Sequence, residues 1–358
     1  MSRIYTDPAA LAGWLKDNHV SRLLVISDPV VRQLPLYDRL RPLAAVWFDE
    51  VRPNPLYEDV CAAVAQFRRQ SCDGILAVGG GSAIDTAKCV KLWCRMAPEQ
   101  GVFLTQPYGD TGVPLAAMPT TAGTGSEATH FAVAYYNGVK QSIAHESLRP
   151  DAAFLIPELL FTLPLYQKKA TLLDALCQAV ESIWAVRATP ESTAHAAAAI
   201  TRIRAHMDAY LAGDRTVCGE IQRAAYEAGC AINITTTTAA HAMSYKLTSL
   251  YGIAHGHAVG LCMRALWPFM VTHPERTVLP GGKAAQQAVF DRLAALFEAA
   301  DAADAAQKYA ALYDKLALPT PSVTAEEREQ LVSAVNPQRL QNNPIPLSAA
   351  DIRGLLTF

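Results

Sequence analysis

The run Gly79-Gly80-Gly81-Ser82 constrains this chain more than any other four residues. Before it lies Ile75-Leu76-Ala77-Val78, short, apolar and preceded by Gly74, which reads as a buried strand. After it, residues 83–91 read as a helix with Ser82 or Asp85 near its start. Three glycines between a strand and a helix permit a tight turn and a close approach of backbone to a ligand. The N–H groups and the positive dipole end of that helix then face an anion, most naturally a phosphate. The run fits neither G-x-G-x-x-G nor the Walker spacing, so a ligand-free strand-to-helix turn stands as the other reading.

Residues 22–26, 44–48, 75–78 and 115–118 are apolar runs separated by helical patterns. That is the rhythm of a parallel sheet covered on both faces. Residues 131–136, 141–143 and 152–156 read as further strands closing this part. Beyond Pro157 strand-like runs vanish. Residues 168–187, 191–211 and 284–300 are rich in Ala and Leu, with Pro164, Pro190, Gly213 and Pro268 as punctuation. The expected architecture is an α/β domain over 1–157 and an all-helical domain over 158–358, with a cleft between them as the default ligand site.

Composition removes several classes of function. A formal net charge of -2 offers no basic field, so nucleic acid is not an expected partner. No apolar run is long enough to span a membrane, and MSRIYTDPAA lacks a signal-peptide pattern; a cytoplasmic protein without membrane contact is expected. The 8 cysteines form no C-x-x-C pair and read as free, mostly buried thiols.

A second segment, Pro119-Thr120-Thr121-Ala122-Gly123-Thr124-Gly125-Ser126-Glu127, follows the apolar run 115–118. Hydroxyls spaced by small residues suit a loop that wraps a polar ligand. Together with Gly79-Gly80-Gly81-Ser82, the Pro53-Asn54-Pro55 turn and Leu148-Arg149-Pro150, it resembles the iron-containing alcohol dehydrogenase family, the metal-dependent group III dehydrogenases, over nearly the whole chain. The resemblance implies a dehydroquinate-synthase-like fold, with dinucleotide on the first domain and metal on the second. It implies that Gly79, Gly80, Gly81 and Ser82 hold a pyrophosphate, with Asp85 beside them. Thr120, Thr121, Thr124 and Ser126 would position adenosine and nicotinamide, and Lys140 would reach a ribose. Asp28, at the end of an early strand, is placed to favour NAD over NADP, with NADP kept open. As a helix N-cap before Pro29 it has an equally good local reading.

In the second half, Asp174 and Gln178 are four apart and share one helix face. His241 and His255 follow, with Gly252 expected to end one helix and His255 to open the next. The resemblance implies a metal held by an aspartate, a histidine four residues on and two further histidines at this spacing. Asp174, His241 and His255 match. Gln178 stands where most members carry histidine, and an amide oxygen is the weaker donor. The remaining two-His-one-carboxylate set suits Fe²⁺ or Zn²⁺. Taken singly, each histidine also reads as an ordinary packing residue. Tyr245 and Lys246 are the polar neighbours expected at the catalytic pocket, and His257 reads as a proton relay or a core residue.

The implied activity is hydride transfer between NAD(P)H and a small aldehyde or alcohol. The segments 173–179, 241–247, 253–257 and 342–347 look like the phosphonoacetaldehyde reductase branch of that family, which implies a phosphonate substrate with Lys246, Arg149 or Arg264 as its cation. The alternatives are a general short-chain alcohol dehydrogenase, a metal-free inactive or ligand-sensing relative, and a dehydroquinate-synthase-like lyase. The last needs more basic residues around the metal than the sequence shows. A homo-oligomer, a dimer, is expected.

Overall fold

Among the described residues there are eight strands; seven form where strands were expected, within a residue or two, and the first is not among those expected. They are β1 (Arg3–Tyr5), β2 (Leu23–Ser27), β3 (Ala44–Phe48), β4 (Gly74–Gly79), β5 (Leu115–Pro119), β6 (Phe131–Tyr136), β7 (Val139–Ala144) and β8 (Ala152–Phe154). The computed structural model describes residues 2–99 and 102–358 and divides into two units, Met1–Leu163 and Pro164–Phe358.

In the first unit six strands pair in the order β1-β8-β5-β4-β2-β3, every pair parallel. The central strands β2, β4 and β5 are buried along their whole length. Side chains alternate between faces. Leu24, Ile26, Ile75, Ala77, Leu115 and Ala117 enter one core with helices α3 (Tyr57–Arg69) and α4 (Gly81–Trp93). Their neighbours Leu23, Val25, Leu76, Val78, Ala116 and Met118 enter the other, with Leu11 and Trp14 of α1 (Ala10–Asp17). A fourth helix, α2 (Tyr37–Leu40), is one turn long. Burial on both faces explains why these strands read as continuous apolar runs rather than alternating ones.

Three expectations need correction here. β6 and β7 do not extend the main sheet but form their own antiparallel hairpin. α4 begins two residues earlier than expected, at Gly81, with Gly80 as its N-cap. Leu159, placed with the helical half by the sequence, packs in the second core of the first unit.

The second unit is helical throughout its regular elements: α5 (Leu165–Trp184), α6 (Pro190–Leu211), α7 (Cys218–Thr235), α8 (Ala239–Tyr251), α9 (His255–Thr272), α10 (Gly282–Leu296), α11 (Ala302–Lys315), α12 (Ala325–Ser333), α13 (Pro337–Leu340) and α14 (Ala349–Leu355). α5 is central and packs against α6, α7 and α9. Thr189 caps α6 in a reciprocal capping box with Ser192, Pro190 taking the first helical position. Gly252 ends α8 at φ 65, a left-handed conformation glycine adopts freely, and His255 opens α9 as expected. Pro268 does not end a helix; it lies inside α9. All 8 cysteines are free, and 7 of them are buried.

Candidate functional site

Sheet register brings the two candidate cofactor loops together. Gly79, the last residue of β4, pairs with Pro119, the last of β5, and the Thr120 N–H donates to the Gly79 carbonyl at 3.0 Å. Ser27 pairs with Val78, which sets Asp28 beside the glycine turn. Asp28 takes the N-cap position before Pro29 as expected, but its side chain makes no capping hydrogen bond there. Its Oδ2 instead accepts the Gly80 N–H at 2.6 Å. Burial pushes this carboxyl up, and the Gly80 hydrogen bond partly opposes that.

The three glycines differ in what surrounds them. A Cβ at Gly79 would lie 2.7 Å from the Ala83 Cβ, and one at Gly81 would lie 2.9 Å from the Thr124 Cγ2. At Gly80 the nearest atoms are ordinary contacts, Thr121 Cγ2 at 3.5 Å and Asp28 Oδ2 at 3.7 Å. Gly79 and Gly81 are therefore required by the loop itself, whereas the loop would tolerate a Cβ at Gly80, whose N–H is already held by Asp28. The first-turn N–H groups of Gly81 and Ser82 have no intrahelical acceptor and carry the positive dipole end. This cradle fits a phosphate. The Ser82 Oγ accepts the Asn54 N–H at 3.2 Å, which ties the Pro53-Asn54-Pro55 turn to the glycine loop.

Asp85 and Ser126 face each other. The Ser126 hydroxyl donates to Asp85 Oδ1 at 2.6 Å, and the Val133 N–H donates to Asp85 Oδ2 at 3.0 Å. Beneath them lies Lys88, fully buried, which the sequence reading did not single out. Its Nζ donates to Ser126 Oγ, Thr129 Oγ1 and the Phe131 carbonyl at 2.9, 2.9 and 2.8 Å. Burial lowers its pKa to about 8, against the pull of Asp85 and Glu127. The network fastens the Thr120–Ser126 loop to α4. Thr124 Oγ1 accepts the Ser126 N–H at 3.3 Å, and Lys140 on β7 lies close enough to Asp85 to stabilise its charge.

In the second unit, Asp174, His241 and His255 offer ligand atoms that all lie within 4.8 Å of one another. They come from α5, α8 and the first residue of α9. His241 Nε2 lies 3.3 Å from Asp174 Oδ1. The convergence depends on Gly256. A Cβ there would collide with the Ala170 carbonyl oxygen of α5 and sit 2.7 Å from the Asp174 Cβ. Only glycine lets α9 start this close to α5, and its neighbour His255 is thereby delivered to Asp174.

Behind His241 stands Glu181, fully buried and seven residues beyond Asp174 on α5. Its Oε2 bonds the His241 Nδ1. Its Oε1 accepts the Thr238 hydroxyl at 2.7 Å and the Ala240 N–H at 2.9 Å. With Nδ1 held by a carboxylate, Nε2 is the nitrogen turned toward Asp174 and available to an ion. Burial alone would lower the His241 pKa, but Glu181 and Asp174 together raise it to about 10. Asp174 is held below its usual range despite burial, by His241, His255 and a hydrogen bond from Gln178. Gln178 lies buried one turn from Asp174, where that hydrogen bond makes it a partner of the carboxylate. Two imidazoles and one carboxylate, one imidazole oriented by a second carboxylate, fit a divalent first-row ion.

Glu181 and Gly256 were legible in principle. Asp174, Gln178 and Glu181 follow the i, i+4, i+7 spacing of one helix face, and Gly256 directly follows a candidate ligand. The other polar candidates fall as follows. Tyr245 stacks on the His255 ring, with centroids 5.5 Å apart and planes at 5°. Lys246 is half-buried on α8. His257 is buried, with its Nδ1 3.2 Å from the Tyr166 hydroxyl, and burial lowers its pKa. Arg264, expected among the anion-binding cations, is committed to Asp314 through two bonds of 2.9 and 3.2 Å.

Two family descriptions match the chain: iron-containing alcohol dehydrogenase over residues 3–157, and the C-terminal region of the Fe-containing alcohol dehydrogenase family over residues 168–357. Phosphonoacetaldehyde reductase of Streptomyces viridochromogenes is 34% identical over 335 residues, 90% of this chain and 84% of that protein. Long-chain-alcohol dehydrogenase 1 of Geobacillus thermodenitrificans is 31% identical over 72% of this chain and 71% of that protein. Among solved structures, sulfoacetaldehyde reductase from Bifidobacterium kashiwanohense in complex with NAD+ superposes with a TM-score of 0.88 at 24% identity, covering 99% of this chain and 95% of that one. No described helix is long and apolar enough to cross a membrane.

Proposed function

This chain belongs to the iron-containing alcohol dehydrogenase family, and from that premise we propose that it reduces phosphonoacetaldehyde to 2-hydroxyethylphosphonate with NADH, reversibly. The coarser activity, metal-dependent oxidoreduction of an alcohol and aldehyde pair, follows from the family and from its relatives. The observation that carries the reading is the convergence of Asp174, His241 and His255, with Glu181 hydrogen-bonded to the His241 Nδ1.

Asp174, His241 and His255 would hold the divalent ion, with Gln178 supporting Asp174. The Gly81 and Ser82 N–H groups would hold the dinucleotide pyrophosphate beside Gly80, and Asp28 would repel a 2′-phosphate by charge. When bound, the ion supplies Lewis-acid polarisation of a carbonyl oxygen and the nicotinamide supplies the hydride. The protein's own work is orientation. Glu181 keeps the proton of His241 on Nδ1, Gly256 keeps His255 against Asp174, and Lys88 keeps the hydroxyl-rich loop against α4.

The test is NADH and NADPH oxidation by protein loaded with Fe²⁺ or Zn²⁺, across a panel of aldehydes that includes phosphonoacetaldehyde. Turnover that needs metal, favours NADH and is fastest with phosphonoacetaldehyde is expected. Full turnover in protein freed of metal by chelation would refute the metal role. A preference for uncharged short aldehydes would favour the general alcohol dehydrogenase reading.

A further inference from the structure

Resting on the reductase reading above, we propose that Arg339 and Tyr245 form an anion clamp next to His255, and that this clamp selects aldehydes carrying a negatively charged head group. Tyr245 lies one turn after His241 on α8, so both side chains occupy one helix face. The Tyr245 ring runs parallel to the His255 imidazole, 5.5 Å away. The Arg339 guanidinium carbon sits 5.3 Å from the centre of the same ring. Arg339 Nη1 donates to the Tyr245 hydroxyl at 3.4 Å. Imidazole, phenol and guanidinium are thus in successive contact, beginning at a candidate metal ligand.

Charge and reach agree with this role. The steps of 5.3 and 5.5 Å keep the guanidinium carbon within about 11 Å of the His255 ring centre. From a carbonyl oxygen to a guanidinium carbon bonded to a head group two carbons away is about 8 Å. The reach of a short charged aldehyde therefore falls within that upper bound. Guanidinium presents its N–H donors as a planar fork that matches phosphonate or carboxylate oxygens, and the Tyr245 ring and hydroxyl anchor it at this position. Lys246 is the weaker candidate. Five residues beyond His241, it points about 140° around the helix from that ligand, whereas Tyr245 is displaced by only about 40°.

The segment carrying Arg339 is braced, which a binding residue needs. The Asn336 side chain caps α13 by accepting the Gln338 N–H at 2.9 Å. Just beyond α13, Asn342 Nδ2 donates to the Thr235 carbonyl at 2.7 Å and the Thr237 carbonyl at 3.3 Å, and its Oδ1 accepts the Arg187 N–H at 3.1 Å. Asn342 thus staples the end of α13 to the turn that leads into α8. Asn342, in the 342–347 segment, thereby fixes Arg339 relative to the helix that bears His241 and Tyr245.

The experiment compares wild type, R339M and R339K, loaded with metal, on phosphonoacetaldehyde and on propanal. The readout is the ratio of the two kcat/KM values, which a purely structural role of Arg339 would leave constant. R339M should lower that ratio about a hundredfold, chiefly through KM for the charged aldehyde, with partial recovery in R339K. Calorimetric binding of 2-hydroxyethylphosphonate should weaken at least about tenfold in R339M. An unchanged ratio, or a wild type that reduces propanal but not phosphonoacetaldehyde, overturns the clamp while leaving the dehydrogenase reading intact. If wild type reduces neither aldehyde, the reductase reading fails. Calorimetry then decides the clamp: binding that R339M weakens supports it, and binding that is absent or unmoved overturns it.

Discussion

Gly256→Ala is the smallest change that should dismantle the candidate metal centre. A Cβ at this position would lie 2.7 Å from the Asp174 Cβ and would overlap the Ala170 carbonyl oxygen, a backbone atom that cannot swing aside. Restoring ordinary contact with Asp174 at about 3.4 Å requires the start of α9 to retreat by roughly 0.7 Å, and the carbonyl demands more. Metal-ligand distances tolerate only about 0.2 Å. His255 is the adjacent residue, so it moves with the displaced turn. The fold should survive, because overpacking of this kind costs about 1–3 kcal/mol. Metal affinity should fall at least about tenfold, with a loss of turnover to match. The assay is metal content per chain after dialysis against a graded chelator, with circular dichroism and Tm on the same samples. Wild-type metal retention in a folded Gly256→Ala protein would refute the argument that helix contact delivers His255.

Three further outcomes are expected. Glu181→Gln keeps the side-chain volume but replaces the acceptor of the His241 Nδ1 proton with an amide; metal affinity should drop about 10–100-fold in the same chelator assay. Gly80→Ala should leave Tm nearly unchanged, since a Cβ there meets only ordinary contacts, yet should weaken NADH at least about tenfold in a fluorescence titration. Burial raises the Glu127 pKa from 4.5 to about 7. The native state therefore binds this proton more tightly than the unfolded chain, and the stability it contributes is complete below pH 4.5 and lost as pH rises through 7. Glu127→Gln mimics the protonated form, so its stability advantage over wild type should grow between pH 5 and 8, by up to about 3 kcal/mol in denaturant titrations.

The sequence alone determined the elements and the chemistry of single motifs. Strands β2, β4 and β5 were legible because both their faces are buried, which leaves a continuous apolar run in the chain. The glycine turn was legible because few other residues allow it. Asp174, His241 and His255 were legible as metal-ligating residue types at a spacing the family shares. Tertiary structure decided what those residues meet. The Asp28 carboxylate accepts from Gly80 rather than capping its own helix, because parallel register sets the ends of β2 and β4 side by side. β6 and β7 leave the main sheet, and no local propensity encodes which sheet a strand joins. Glu181 shows in the chain only a helix face shared with Asp174, and Lys88 and Arg339 look like ordinary charged residues there. Each acquires its role from a partner 60, 38 or 94 positions away, and residues so separated meet only when packing brings their elements together.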